Sequence, residues 1–197
     1  MCGATASTHA RLSRAAGLAL VVLVAAGCGN GQTPASLPTE AAPPQRVELG
    51  WEERLPSSGP GLVFRVHRFA VTADGWEADV GLENQTEIAW RLPGAVGAVA
   101  TSFGVMLFTS DELDEVEQRS RDGELPGLRE AQRYEPGLPA RLAPGAAWRG
   151  TIAARGALAA GLFVRIVLGP FVAAGDPPDG MQAGFSWITD HAHRLHG

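Results

Sequence analysis

The chain has 197 residues, a hydrophobic share of 45% and a formal net charge of −5, which suits one sizeable core. Every basic residue is an arginine, since the sequence contains no lysine. This excludes a P-loop, a Schiff-base enzyme and the Ser-x-x-Lys acyl-transfer motif, because each needs a lysine amine. The acidic balance also argues against nucleic acid as a partner, because phosphate backbones repel it.

The first 27 residues have the pattern of an export signal. Arg11 and Arg14 form a short basic region, residues 15–26 are an apolar run, and small residues precede Cys28. The run is too short for a spanning helix, which needs roughly 20 apolar residues. An uncut amino-terminal anchor helix is the alternative to a signal peptide over residues 1–27.

Residues 24–28 (VAAGC) resemble the lipobox of bacterial lipoproteins, with Ala25 where lipoboxes usually carry leucine. The resemblance implies cleavage between Gly27 and Cys28 and a diacylglycerol on the Cys28 thiol. Lipid on Cys28 would hold the protein on the extracytoplasmic face of the cell membrane, since two acyl chains suffice for stable anchoring. We therefore expect the membrane as one partner, through that lipid.

Cysteine usage agrees with this interpretation. The sequence has two cysteines, Cys2 and Cys28, and Cys2 leaves with the signal. The exported part then has no thiol for a disulfide, a cysteine zinc site, a CxxC redox motif or a cysteine nucleophile.

Residues 28–45 are predicted to be a lipidated tether. They are rich in Gly, Pro, Ala, Ser and Thr and have no apolar period, so they cannot bury enough surface to offset their ordering entropy. We expect one β-sandwich domain over residues 46–197.

The clearest local pattern predicts a β-hairpin. Asp74-Gly75 favours a two-residue turn, which would place Val71 opposite Ala78. Apolar and polar residues alternate after the turn, so one face of the second strand should be buried. A slip in this alternation predicts a β-bulge near His67-Arg68. The inward residues would be Trp76, Ala78, Val80 and Leu82.

Several further strands are expected, and the high Gly and Pro content favours a mainly β fold. Short strands between turn signals predict an antiparallel sandwich. One short helix should begin at residues 109–112, with Leu113 and Val116 toward the core, and end at Asp122-Gly123. Residues 126–140 should be loop. The strand candidates are Glu87–Leu92, Phe103–Thr109, Ala147–Ala154, Leu162–Val172 and Phe185–Thr189.

A tethered, cysteine-free β domain resembles the immunoglobulin-like domains of many bacterial lipoproteins. Trp76–Asn84 and Leu142–Ile152 (LAPGAAWRGTI) carry this resemblance, the second as a turn leading into a closing strand. It implies binding or assembly at the cell envelope more often than catalysis, with an envelope protein or cell-wall component as the unidentified partner.

Catalytic motifs are missing from the sequence. It has neither G-x-S-x-G nor H-E-x-x-H, and the acids of residues 111–117 lack the ligand order of a calcium loop. Glu52 and Glu53 would face opposite sides of a strand, and His67 is expected to be structural. We therefore expect no enzyme and no cofactor. Of the five tryptophans, Trp76, Trp90 and Trp148 should be core.

The carboxyl-terminal tail offers the alternative function, a Zn²⁺- or Cu²⁺-binding lipoprotein. His191, His193 and His196 supply imidazoles within six residues, beside Asp190. Neither a strand nor a helix brings all three histidines to one side, so a solvated or docked tail is expected and no metal residue is assigned. A non-catalytic binding or assembly module is the favoured hypothesis, the metal-binding lipoprotein comes second, and a hydrolase is third.

Overall fold

A computed structural model describes residues 40–92, 103–110 and 112–197. The signal, the cleavage site at Gly27 and Cys28, and tether residues 28–39 lie outside the described residues. Over the described residues the chain is mainly β, with two antiparallel sheets packed as a sandwich and one short helix, as predicted.

Twelve strands and one helix are present among the described residues. They are β1 (Gln45–Leu55), β2 (Leu62–Val71), β3 (Gly75–Asn84), β4 (Trp90–Arg91), β5 (Gly104–Phe108), α1 (Leu113–Arg121), β6 (Leu128–Glu130), β7 (Arg133–Glu135), β8 (Arg141–Leu142), β9 (Ala147–Arg155), β10 (Phe163–Ala173), β11 (Gly184–Ile188) and β12 (His193–Arg194).

The first sheet has the strand order β1-β2-β3-β9-β7, and the second has the order β6-β5-β10-β4-β8. Strands β11 and β12 pair with β10 as well, so β10 is the central strand of the second sheet. The inner faces of both sheets share one apolar core, because alternate residues of each strand point inward. Phe64 and Val80 from one sheet and Ile166 and Phe171 from the other belong to it.

The predicted hairpin is present, but its register differs from the expectation by two residues. Val71 lies opposite Trp76 and Phe69 opposite Ala78. The turn lies one residue earlier than predicted, on Ala73-Asp74, because the Thr72 amide donates to the Gly75 carbonyl and the Gly75 amide donates to the Thr72 hydroxyl. A shift of two keeps every side chain on its predicted face, so the expected inward residues are buried.

The predicted bulge is confirmed at His67. Val66 pairs with Val80 and Arg68 with Asp79, so two steps on β2 match one step on β3. The extra residue restores Phe69 to the buried face after Val66.

Gly75 is required for a reason that turn chemistry did not predict. Its φ is not positive, but a Cβ built on it would lie 2.0 Å from the carbonyl oxygen of Ala154 on β9. The close approach of β9 to β3 therefore demands glycine there. The expected turn at Asp74-Gly75, with a positive φ at Gly75, was wrong.

The described residues between β5 and β9 form helix α1 and three short strands, β6, β7 and β8. Helix α1 begins and ends where predicted, and Val116 is fully buried. Leu113 is 40% exposed, so its expected place in the core was wrong. The predicted loop over residues 126–140 was also wrong in part, because β6 pairs with β5 and β7 pairs with β9.

The folded domain begins before Arg46, within residues that the composition had assigned to the tether. The Ala42 amide donates to the Leu158 carbonyl, the Ala160 amide donates to the Glu40 carbonyl, and Ala42 is buried. Residues 40–45 therefore belong with the sandwich, since their backbone groups are bonded to it.

We expect Gly75→Ala to lower the free energy of unfolding by about 2 kcal/mol, because the methyl group would force β9 away from β3. Urea unfolding followed by circular dichroism measures this. Gly127→Ala is the matched control, since a Cβ there meets nothing within 4 Å and the φ is not positive. Equal stability of the two variants would contradict the close approach.

Candidate binding site

The Glu53 carboxylate on β1 joins the first sheet to the segment after β11. Its side chain is only 7% exposed. Oε2 accepts the Trp187 indole N–H at 2.5 Å, and Oε1 accepts the Asp190 amide at 2.9 Å. The His191 amide donates to Oε1 at 3.4 Å, and the His191 ring nitrogen Nδ1 lies 2.9 Å from it. One carboxylate therefore contacts three residues of the carboxyl-terminal chain, namely Trp187, Asp190 and His191.

Aromatic rings surround this carboxylate. The His191 ring stacks on Trp51, with centroids 5.5 Å apart, and the Trp187 ring stacks on Phe64 at 4.8 Å. Trp51 and Glu53 are two apart on β1, so they share a face of the strand. The stacking fixes both rings that hydrogen-bond to the carboxylate.

Glu52, the neighbour of Glu53, faces the other way, as adjacent residues of a strand do. It pairs with Arg65 at 2.7 Å, and its side chain is 58% exposed. Arg65 also reaches Glu83 at 2.8 Å, and these hydrogen bonds raise the pKa of its guanidinium. The outer face of the first sheet is therefore a ladder of paired charges rather than a site.

Arg165 on β10 is a buried cation at 5% exposure. Its Nη1 donates to the Ser120 hydroxyl of α1 and its Nη2 to the Asp190 carbonyl, both at 2.9 Å. The guanidinium carbon lies 5.7 Å from the centre of the Phe108 ring, a cation–π distance. Nε is buried and has no hydrogen-bond partner.

The charge of Arg165 has no carboxylate partner within 4.0 Å among the described residues. Burial lowers the pKa of Arg165, and the more distant charges of Asp190 and Glu117 oppose this. An arginine stays protonated in proteins, so the cation remains in place. Arg68, whose Nε is also buried and unpartnered, differs because Glu77 and Asp79 pair with its charge.

A cavity of about 470 Å³, here called the Arg165 pocket, lies between α1 and the second sheet. Leu125 is 44% exposed and is one of two exposed large hydrophobic residues in the described part of the chain. The pocket combines a buried cation with acids, a second arginine and apolar surface. Its lining residues are Glu117, Ser120, Arg121, Leu125, Arg165, Ile188 and Asp190.

The Arg165 pocket was not found from the sequence. The apolar run Leu162–Val172 predicted the strand β10. The signal for the pocket was the one charged residue inside this run, Arg165. A charge buried on a central strand, here on the face that α1 covers, is rare and is paired in most proteins, which makes it a candidate functional residue.

The three tail histidines do not converge. His193 pairs with Val164 of β10, Leu195 is 1% exposed, and the Gln45 side chain bonds to both backbone groups of His196, so the tail is docked. The rings of His193 and His196 are 5.9 Å apart and perpendicular, whereas Glu53 holds the His191 ring. Within the described ranges, no group of three or more His, Cys, Asp or Glu is placed to hold a metal ion.

The remaining candidate residues, three tryptophans and one histidine, lie within the strands of the sandwich. Trp76, Trp90 and Trp148 are buried, as expected. His67 lies at the bulge, and burial together with the charges of Arg149 and Arg65 lowers its pKa.

No protein-family model, curated protein or solved structure matches this chain. Across the residues that the structure describes, no helix is both long enough and apolar enough to cross a membrane.

We expect Glu53→Ala to lower the free energy of unfolding by about 3 kcal/mol, because it strands the Trp187 indole and the Asp190 amide without an acceptor. Glu52→Ala is the control. It removes an exposed ion pair, so its effect should stay below about 1 kcal/mol. Guanidinium unfolding followed by circular dichroism compares the two variants. A loss at Glu52 as large as that at Glu53 would contradict the assigned role of the buried carboxylate.

Proposed function

We propose that this chain is a cell-envelope lipoprotein whose β-sandwich serves as a non-catalytic binding module on the extracytoplasmic side of the membrane. The observation that carries the binding role is the buried Arg165 cation beside a pocket, without a carboxylate partner among the described residues. A buried charge is costly unless it is paired, so a ligand that supplies the missing negative charge is favoured there.

The lipid anchor is supported by the sequence at residues 24–28 and by the way the chain enters the sandwich. Ala41 forms a bridge with Ala159, and the Gln45 side chain bonds to the backbone of His196. The segment that follows the tether therefore joins the domain beside its carboxyl-terminal end.

The arrangement around His191 does not favour a hydrolase. Glu53 orients the His191 ring, as an acid does in a catalytic triad, but such chemistry also needs a nucleophile within hydrogen-bond reach of the ring. No serine or threonine hydroxyl in the described chain bonds to that ring. The Thr189 hydroxyl donates to the His191 backbone carbonyl instead. The dyad therefore stabilises the tail.

The metal-binding alternative gains no support from the tail geometry. Its three histidines belong to a docked tail in which the His191 ring already contacts the Glu53 carboxylate. We therefore retain the binding module alone as the proposed function.

We expect Cys28→Ala to abolish lipidation and release the protein from the membrane fraction. The test is fractionation of cells with mass measurement of the mature amino terminus, which should begin at a diacylated Cys28 in the unsubstituted chain. Cys2→Ala is the matched control, since that cysteine lies in the signal and should change neither mass nor location. An unlipidated amino terminus cut elsewhere would contradict the anchor.

The binding role has its own test in intact cells, namely crosslinking of the membrane-anchored protein and identification of what is attached. A specific adduct that is lost when the chain is released by Cys28→Ala supports an envelope partner, whereas turnover of a substrate by the purified chain would contradict the non-catalytic role.

A further inference from the structure

We infer that the Arg165 pocket binds a monovalent carboxylate carried on a short branched apolar group, with the carboxylate on the Arg165 guanidinium and the apolar group against Leu125 and Ile188. This inference rests on the proposed binding role but does not depend on the lipid anchor.

Arg165 has hydrogen-bonding capacity that its contacts do not use. A guanidinium has five N–H donors, and the contacts of Arg165 use one on Nη1 and one on Nη2. Both acceptors, the Ser120 hydroxyl and the Asp190 carbonyl, are uncharged, so they hold the side chain in place without neutralising it. The two terminal nitrogens each retain one donor, in the planar arrangement that suits a carboxylate.

The charged side chains that line the pocket determine which ligand charge it accepts. Asp190 and Glu117 line the pocket together with Arg121, so the four charged side chains around the cavity sum to zero. A dianion such as a phosphate monoester adds a second negative charge to a pocket that Glu117 and Asp190 also line, whereas a single negative charge is offset by the buried Arg165. A cation is disfavoured by the buried guanidinium itself. These charges favour a monoanion.

The apolar side chains of the pocket determine the apolar part of the ligand. Leu125 is 44% exposed at the pocket, and Ile188 provides apolar surface on the strand side. A volume of about 470 Å³ lies within the range of small-molecule sites and holds a group of leucine size beside the carboxylate. This chemistry has two sources, a free short-chain acid or the carboxyl-terminal residue of a peptide.

The experiment is isothermal titration of the full chain in a non-ionic detergent, with 4-methylpentanoate as the probe. We expect saturable binding with one site per chain. 4-Methylpentanamide, which has the same shape without the charge, should bind at least about tenfold more weakly, because it cannot form charge-assisted hydrogen bonds. 3-Methylbutyl phosphate should also bind more weakly, because the pocket acids repel a second negative charge.

Two substitutions assign the site. Arg165→Met retains the buried apolar stem and removes the charge, so we expect the affinity for 4-methylpentanoate to fall by at least about tenfold. Arg149→Met is the control, since it removes an exposed arginine of β9 outside the pocket and should leave the affinity unchanged. Leu125→Ser alters an exposed side chain and should weaken binding severalfold, and it keeps the test decisive if Arg165→Met fails to fold.

The source of the carboxylate is distinguished by acetyl-Gly-Leu and its carboxyl-terminal amide. Binding of the acid at least about tenfold tighter than 4-methylpentanoate, and lost in the amide, identifies a peptide carboxyl terminus, because the added backbone then contributes. Equal or weaker binding of acetyl-Gly-Leu identifies a free acid. Either result supports the pocket chemistry.

Three results would overturn the inference: no binding of 4-methylpentanoate by the folded chain, equal affinity for its amide, or unchanged affinity in folded Arg165→Met and in Leu125→Ser. If crosslinking in cells nevertheless captures a specific partner, the binding module stands and the pocket assignment fails. If the probe binds as expected while Cys28 carries no lipid, the pocket stands and the envelope anchor fails.

Discussion

The buried Glu53 carboxylate is the interaction on which the candidate site depends. It lies on β1 of the first sheet and accepts hydrogen bonds from Trp187 and from the Asp190 and His191 amides, which belong to the second sheet and the chain that follows it. Its bonds fix the position of Asp190, whose carbonyl in turn accepts Nη2 of Arg165. A contact between the two sheets therefore determines how the cation is held. Removing the carboxylate would free the segment that lines one side of the pocket.

The exposed charges and the buried charge of this domain contribute differently to stability and to binding. Arg65, Glu52 and Glu83 form a ladder on the outer face of the first sheet, where water screens the charges and each pair is worth little. Arg165 is buried, and replacing such a charge by an apolar residue is often neutral or stabilising in proteins. The hydrogen bonds to Ser120 and Asp190 hold the Arg165 side chain but leave its charge without a counterion. A ligand that supplies a negative charge completes this arrangement, and this is why we assign the binding role to Arg165 rather than to the exposed ladder.

The sequence was sufficient for the faces of the strands but not for their register or for the site. The alternation after Gly75 placed Trp76 and the residues that follow it on the buried side, because alternation depends only on neighbouring residues. The turn was placed one residue too late, at Asp74-Gly75, and this shifted the register by two residues. Strand β1 was not predicted, although Val47, Leu49 and Trp51 alternate with exposed residues in the pattern of a half-buried strand. The pocket was missed because Ser120 and Asp190, the partners of Arg165, lie 45 and 25 residues away along the chain. Only tertiary packing brings them together.

The most direct test of the account is nuclear magnetic resonance of the arginine side chains in ¹⁵N-arginine-labelled chain during addition of 4-methylpentanoate. Arg165→Met identifies the Arg165 Nε–H signal by its absence. The account predicts that this signal moves progressively and saturates with the ligand, because a carboxylate on the terminal nitrogens changes the electron distribution of the whole guanidinium. Signals of exposed arginines such as Arg149 should stay in place. An Arg165 signal that remains unchanged at ligand saturation, or shifts shared equally by all arginines, would contradict the central claim that the buried cation is the binding group.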